Sequence, residues 1–379
     1  MFVVGIDASN LRRGGGQTHL IELLGAACPQ RNNFKKIVIW GSQSTLDLLE
    51  DRDWLVKRSV SLLQYGILKR TFWQAARLGQ EAQSEGCDIL FVPGGSFITN
   101  FRPLVTMSRN LLPFEIDELR RFGLSTMTFK LLTLRFVQTR SFEQASGVIF
   151  LSKYAQNVVS SITRSILGDS LVVPHGVDKK FLKKPKPQRR ISQCSAENPF
   201  NLIYVSTVDF YKHQWNVVHA VGSIRKKHGW PITLTLIGAM NKSVKARFNS
   251  SIDMYDPKRE WVQYLGSIPF SELPNYYQSA DLGVFASSCE NMPNVLLEKM
   301  ASGLPIVSSS FGPMPEVLGD NGVYFNPEDA LDLRRRIEDL VLNADLRAVL
   351  SLKNYERAKT FSWGLCADQT FKFISSLVR

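Results

Sequence analysis

Glu290 and Glu298 bracket a stretch that is patterned as a helix start. Pro293 stands just before Asn294, where a fixed φ suits the first turn and no amide partner is lost. Gly303, followed by Pro305, marks the other end. Free amides at residues 294–296, together with the positive helix end, make a receptor for a diphosphate. Carboxylates repel phosphates and accept hydrogen bonds from hydroxyls, so Glu290 and Glu298 would take the polyols on either side of that anion. A ligand with a diphosphate between two polyols is a nucleotide sugar. Spacing alone fits equally a Glu290 that caps the helix and a Glu298 that sits in solvent. At about 100° per residue, Leu296, Leu297, Met300 and Ala301 share one side. Val295, Glu298, Lys299 and Ser302 fall on the other, so Glu298 is expected to stand off the core.

Three further groups could contribute charge. Lys212 precedes a helical run from about Trp215, where an ammonium can neutralise charge on a departing diphosphate; unaided, it also reads as a surface lysine. Gly14-Gly15-Gly16 lies between the strand Phe2–Ile6 and a helix expected over Thr18–Ala27, and lets backbone approach a ligand; a loop without a ligand fits as well. It is neither GxGxxG nor GK[ST]. Arg109 and Asn110 follow the strand Leu104–Met107. Asp51-Arg52-Asp53 has the DxD spacing of a metal motif, but no apolar strand leads into it, and it reads as surface.

These residues need a scaffold, and the chain supplies one. Apolar strand runs at 2–6, 36–40, 87–92, 104–107 and 147–152 alternate with helical patterns, and a second set follows at 201–206, 232–238, 262–268, 281–286 and 306–307. This is an α/β chain of two doubly wound, Rossmann-like domains, with a cleft expected at the strand C-termini. The expected division is 1–175, a basic linker over 176–200, 201–360, and a C-terminal helix over 361–379 that crosses back to the first domain. The linker holds Lys179, Lys180, Lys183, Lys184, Lys186, Arg189 and Arg190.

The run Glu290-x7-Glu298, followed by Met300-Ala301-Ser302-Gly303-Leu304-Pro305-Ile306-Val307 and then Phe311-Gly312-Pro313-Met314-Pro315-Glu316-Val317, resembles the signature of the retaining GT-B glycosyltransferases of family 4. The resemblance implies that Glu290 contacts the donor sugar and Glu298 the ribose, with Met292, Pro293, Asn294 and Val295 at the diphosphate. It implies further donor contacts at Gly15 and Gly16, at Ser206 and Thr207, at Gly238, and at Ser267 and Ile268, which would line the base pocket. Family members commonly have a histidine and an acid where this chain has Arg109 and Asn110. They have an arginine where it has Thr207, and an asparagine where it has His175. Lys212 matches the family lysine. Arg109 and Asn110 are carried with Glu290 and Lys212 as catalytic candidates.

The resemblance implies transfer of a hexose, with retention, from a nucleoside diphosphate sugar to a saccharide. That acceptor is expected to be a lipid-linked intermediate of O-antigen, capsule or lipopolysaccharide. No metal or other cofactor is expected, since helix amides and Lys212 would replace a cation. Two alternatives stay open, a sugar-nucleotide epimerase or other non-transferase GT-B enzyme, and a non-catalytic basic binding protein.

Composition narrows the partners. A net charge of +12 without an RNP-like, zinc-finger or basic-zipper pattern points away from nucleic acid and toward anionic membrane or a pyrophosphate-bearing lipid. Residues 116–142 mix leucines and phenylalanines with arginines, as a core helix or a membrane-surface helix would. Five cysteines without a CxxC pair suggest no zinc site or disulfide framework. No apolar run reaches the ~18 residues that span a bilayer, and Asp7 and Arg12 interrupt the start. The expected location is cytoplasmic, with peripheral contact on the inner membrane face.

Overall fold

A computed structural model describes residues 1–12, 14–163 and 168–378. The chain forms two compact units, Met1–Gly176 with Ser362–Arg379, and Val177–Phe361.

The first unit holds strands β1 (Phe2–Asp7), β2 (Phe34–Gly41), β3 (Leu55–Ser59), β4 (Ile89–Val92), β5 (Leu104–Met107), β6 (Gly147–Phe150) and β7 (Asp169–Val172). They pair in parallel in the order β3-β2-β1-β4-β5-β6-β7. Strands such as Ile89-Leu90-Phe91-Val92 are buried at every residue, because helices cover both faces of a parallel sheet. Of the glycines after β1, Gly14 stands at the N-cap position of the first helix and Gly15 and Gly16 begin it: α1 is Gly15–Ala26. Its later helices include α2 (Ile67–Ala76) and α3 (Thr126–Gln144). The 116–142 stretch is therefore two helices, Ile116–Arg120 and then α3, whose start is fixed by Ser125 Oγ accepting from the Thr128 amide at 3.3 Å. The C-terminal helix Trp363–Ser376 packs on this unit, where Asn32 donates to Asp368 at 2.8 Å.

The second unit holds β8 (Phe200–Val205), β9 (Ile232–Ile237), β10 (Val262–Tyr264), β11 (Leu282–Phe285), β12 (Ile306–Ser309) and β13 (Val323–Phe325), in the order β10-β9-β8-β11-β12-β13. Its helices include α4 (Gln214–His228), α5 (Leu273–Ser279) and α6 (Asn294–Ala301). Residues 177–200, within the stretch expected as a basic linker over 176–200, belong to this unit. Lys186 and Arg189 pair with buried Asp281 at 3.0 and 2.7 Å, and the Lys183 amide donates to Ala301 at 2.9 Å.

That packing corrects the placement of Glu298. The segment around residues 181–185 covers the side of α6 that faces away from its sheet, with Ser302 Oγ donating to Phe181 O at 3.4 Å. Asn354 closes over the following turn by donating to Leu304 O at 3.0 Å. Glu298, Lys299 and Ser302 are all buried, and only Val295 of the expected outer set is half-exposed.

In each sheet the strand order reverses once, between β1 and β4 and between β8 and β11. Loops leaving neighbouring strands there run in opposite directions and open a crevice at the strand C-termini.

Candidate functional site

In the second unit, the two loops at the reversal carry Lys212, after β8, and Glu290, after β11. They form a direct ion pair, Lys212 Nζ to Glu290 Oε1. The surrounding backbone locks them together. The Ser288 amide donates to Tyr211 O at 2.8 Å, Ser287 Oγ and Ser288 Oγ donate to the same oxygen at 3.3 Å, and His213 Nε2 meets Ser288 Oγ at 3.0 Å. His213 adopts φ 51°, a left-handed turn that sends the chain directly into α4. From below, Tyr204 donates to Lys212 O at 2.8 Å. Burial alone depresses an ammonium, but Glu290 and the phenols of Tyr211 and Tyr204 outweigh it, and Lys212 is held above its ordinary value.

Glu298 is buried on α6, and Tyr277 of α5 donates to its Oε2 at 3.1 Å. Burial pushes this carboxyl up to about 7. Its neighbour Lys299 is fully buried, and its Nζ has no hydrogen-bond partner; it lies between the rings of Phe285, Tyr277 and Tyr204 at 5.2, 5.7 and 5.8 Å. Burial lowers it to about 7. The start of α6 offers fewer donors than expected, because the Leu296 amide bonds Pro293 O at 3.0 Å. The amides of Asn294 and Val295 remain, with no acidic residue in the first turn. Asn294 Oδ1 is buried and unpartnered.

The other expected donor contacts also lie at the C-terminal edge of this sheet. Ser206 and Thr207 follow β8, Gly238 follows β9, and Ser267 and Ile268 follow β10; Met292 and Pro293 are buried beside Glu290. Gly238 has φ +142°, and a Cβ there would stand 2.1 Å from Ser206 O, so only glycine lets these two loops touch.

In the first unit, α1 starts without a side-chain cap or an acidic residue, at the reversal beside β1. Arg109 lies across it: a Cβ on Gly16 would stand 2.5 Å from its Nη1, so the glycine makes room for the guanidinium. Nε of Arg109 is buried without a hydrogen-bond partner, and burial lowers the group to about 10. Asn110 is exposed and its side chain accepts from the Leu112 amide at 3.2 Å, a local turn.

Behind Arg109 lies a pair the sequence did not reveal. His19 Nδ1 and His175 Nδ1 meet at 2.9 Å, both buried, with Trp363 packed against both rings. One ring must donate and the other accept. Burial, with Arg109 as a further cause, holds His19 well below the usual histidine range and His175 at about 3, so both are neutral. His19 Nε2 is buried and unpartnered. No local spacing links 19 with 175; only the fold does. Asp51-Arg52-Asp53 is a surface loop, with Asp51 paired to Lys57 at 2.7 Å.

Residues 186–357 match the family described as Glycosyl transferases group 1. The O-antigen chain mannosyltransferase B of Escherichia coli is 34% identical over 110 residues, 29% of each chain. The chain thus spans under a third of the length of that curated relative, as it does for several others. A sucrose-phosphate synthase from Thermosynechococcus elongatus superposes with TM-score 0.78 at 17% identity, covering 100% of this chain and 99% of that one. HepE of Anabaena, in complex with UDP-glucose, superposes with TM-score 0.72 at 18% identity over 100% of both chains. The fold is GT-B, built of two Rossmann-like units.

Proposed function

We propose, from the membership of residues 186–357 in the glycosyl transferases group 1 family, that this chain moves a hexose from a nucleoside diphosphate sugar to a saccharide acceptor, with retention. The observation that carries the reading is the ion pair of buried Lys212 with half-buried Glu290 at the strand-order reversal, with Glu298 held by Tyr277 nearby. Lys212 would offset charge on the departing diphosphate, and the amides of Asn294 and Val295 would donate to its oxygens. Glu290 would accept from sugar hydroxyls, and Glu298 from the ribose. In this reading the bond from the anomeric carbon to the diphosphate breaks, the acceptor oxygen bonds that carbon on the same face, and the acceptor proton passes to the leaving phosphate. Lys212 and the helix start do the electrostatic work that a cation would do, and turnover is expected to survive EDTA.

Arg109, a guanidinium with an unpartnered buried Nε over a helix start, favours an acceptor that carries phosphate or pyrophosphate. A lipid-linked glycan intermediate of O-antigen, capsule or lipopolysaccharide synthesis fits that chemistry, and the E. coli relative is named for such a chain. A thermal-shift screen of UDP, GDP and ADP sugars identifies the donor, because a ligand that prefers the native state raises its melting temperature. Mass spectrometry of products with and without a saccharide acceptor then separates transfer from epimerisation. A product that forms without acceptor and keeps the nucleotide would overturn the transferase reading.

A further inference from the structure

Helix α3 buries one side and leaves the other bare. Leu131, Gln138, Ser141 and Phe142 face the first unit's core. Phe129 and Phe136 are 75% and 69% exposed, and Leu132 stands between them, half exposed. At about 100° per residue these three fall within one narrow strip. Leu124, just before the helix, is fully exposed. A second bare cluster lies on α2, where Leu68 and Phe72 are 84% and 61% exposed, with Tyr65 and Ile67 beside them. The β3-to-β4 and β5-to-β6 crossovers advance in the same direction across the sheet, and right-handed crossovers put α2 and α3 on the same face.

The charge around these residues is net positive. Arg140 continues the bare strip of α3, Lys130 flanks it, and Glu143 is the helix's one carboxylate. On the preceding short helix, Asp117 and Glu118 are already paired, to Arg120 at 2.9 Å and Arg121 at 2.8 Å. Beside α2, Lys69 lies 3.7 Å from the centre of the Tyr65 ring and Arg12 donates to Tyr65 O at 3.3 Å. Apolar patches of this kind mark a contact surface. A second copy docked by a two-fold axis would bring two copies of this net-positive patch together, whereas anionic headgroups complement it while aromatic and leucine side chains enter the acyl boundary.

We propose that this face of the first unit, Phe129, Leu132 and Phe136 on α3 with Leu68 and Phe72 on α2, seats the chain on an anionic bilayer surface. No helix among the described residues is long and apolar enough to cross a membrane, so the contact is interfacial.

Co-sedimentation of the full chain with vesicles tests this, using phosphatidylcholine alone and phosphatidylcholine mixed with phosphatidylglycerol. The wild type is expected to pellet with the anionic vesicles and to be released by salt. Phe129→Ser with Leu132→Ser and Phe136→Ser should cut the partition by about tenfold or more, since these side chains supply the buried area. Lys130→Glu with Arg140→Glu should abolish the preference for phosphatidylglycerol. Both variants should keep the wild-type melt and the wild-type thermal shift with nucleotide sugars, so a failure here is separable from a failure of the donor site. If the serine triple loses its cooperative melt, Leu68→Ser with Phe72→Ser asks the same question on α2. Unchanged partition of a folded serine variant, or a wild type that binds neither vesicle, overturns the proposal. So does a dimer in light scattering that the serine variant dissociates, which would assign the face to a second copy.

Discussion

The two strand-order reversals hold cations in opposite circumstances. In the second unit Lys212 is paired with Glu290 and braced by Tyr204, Tyr211 and a lattice of serine bonds. In the first unit Arg109 has a buried Nε with no partner and sits over an uncapped helix start, backed by two neutral histidines. Removing one partner of a desolvated ion pair leaves the other charge stranded. A buried donor left without a partner costs stability, the reading of Arg109 Nε that Arg109→Met tests. The second unit's ammonium is thus partnered within the protein, whereas the first unit's guanidinium keeps a buried Nε without a protein partner.

Substitutions can break this contrast. Glu290→Ala strands the Lys212 ammonium, and we expect stability to fall by on the order of 3 kcal/mol and turnover by about 100-fold or more, read by denaturant unfolding and initial rates. Wild-type turnover in a folded Glu290→Ala protein would remove this residue from the site. Arg109→Met should behave oppositely, with a melting temperature equal to or above wild type while transfer to a phosphorylated acceptor slows by about tenfold. If Arg109→Met melts as early as Glu290→Ala, the contrast fails.

Two smaller effects sharpen it. Tyr277→Phe deletes the bond to Glu298, worth about 1 kcal/mol, and should weaken nucleotide binding by about fivefold in calorimetry. An unaltered dissociation constant would detach Glu298 from the nucleotide. Lys299→Met addresses pH. The folded chain holds this amine at about 7, below the ~10.4 of an unfolded lysine. Its stabilising influence is therefore complete only above the unfolded value and is lost as pH falls toward 7. Glu298, raised to about 7, runs the other way, losing stability as pH climbs from ~4.3. The methionine variant should gain in urea midpoint over wild type on going from about pH 9 to about pH 7. An equal difference at both values would contradict the buried-amine account.

Much of this was legible in the residues. Short continuous apolar runs bounded by turn residues, such as Ile89–Val92 before Pro93-Gly94-Gly95, read as interior strands, and Pro293 with Gly303 bounded α6 to within two residues. The side of α6 that Glu298 occupies was not legible. A helical wheel reports which residues face the helix's own sheet, whereas the cover over Glu298 comes from residues 181–185 and 354, more than fifty positions away on either side. The His19 and His175 pair escaped for the same reason, being joined by tertiary packing with no local period. Leu132 and Phe136 carried the converse lesson, since apolar spacing typical of a core helix here lies in the open.

His175 also marks where the chain leaves the first unit, at Gly176, and Trp363 marks where it returns. A Cβ on Gly176 would stand 2.2 Å from the Trp363 amide, so the two passages touch. On the other side of this boundary the Val177 amide donates to Phe361 O at 3.1 Å. Topologically, then, residues 177–361 are an insertion whose ends meet. Such a segment can be excised, or exchanged for another of the same kind, by cutting and rejoining the chain at a single point. The second unit is built as a cassette, and a chimera joined at 176 and 362 would test whether the proposed donor choice travels with residues 177–361 and the proposed bilayer contact with the rest of the chain.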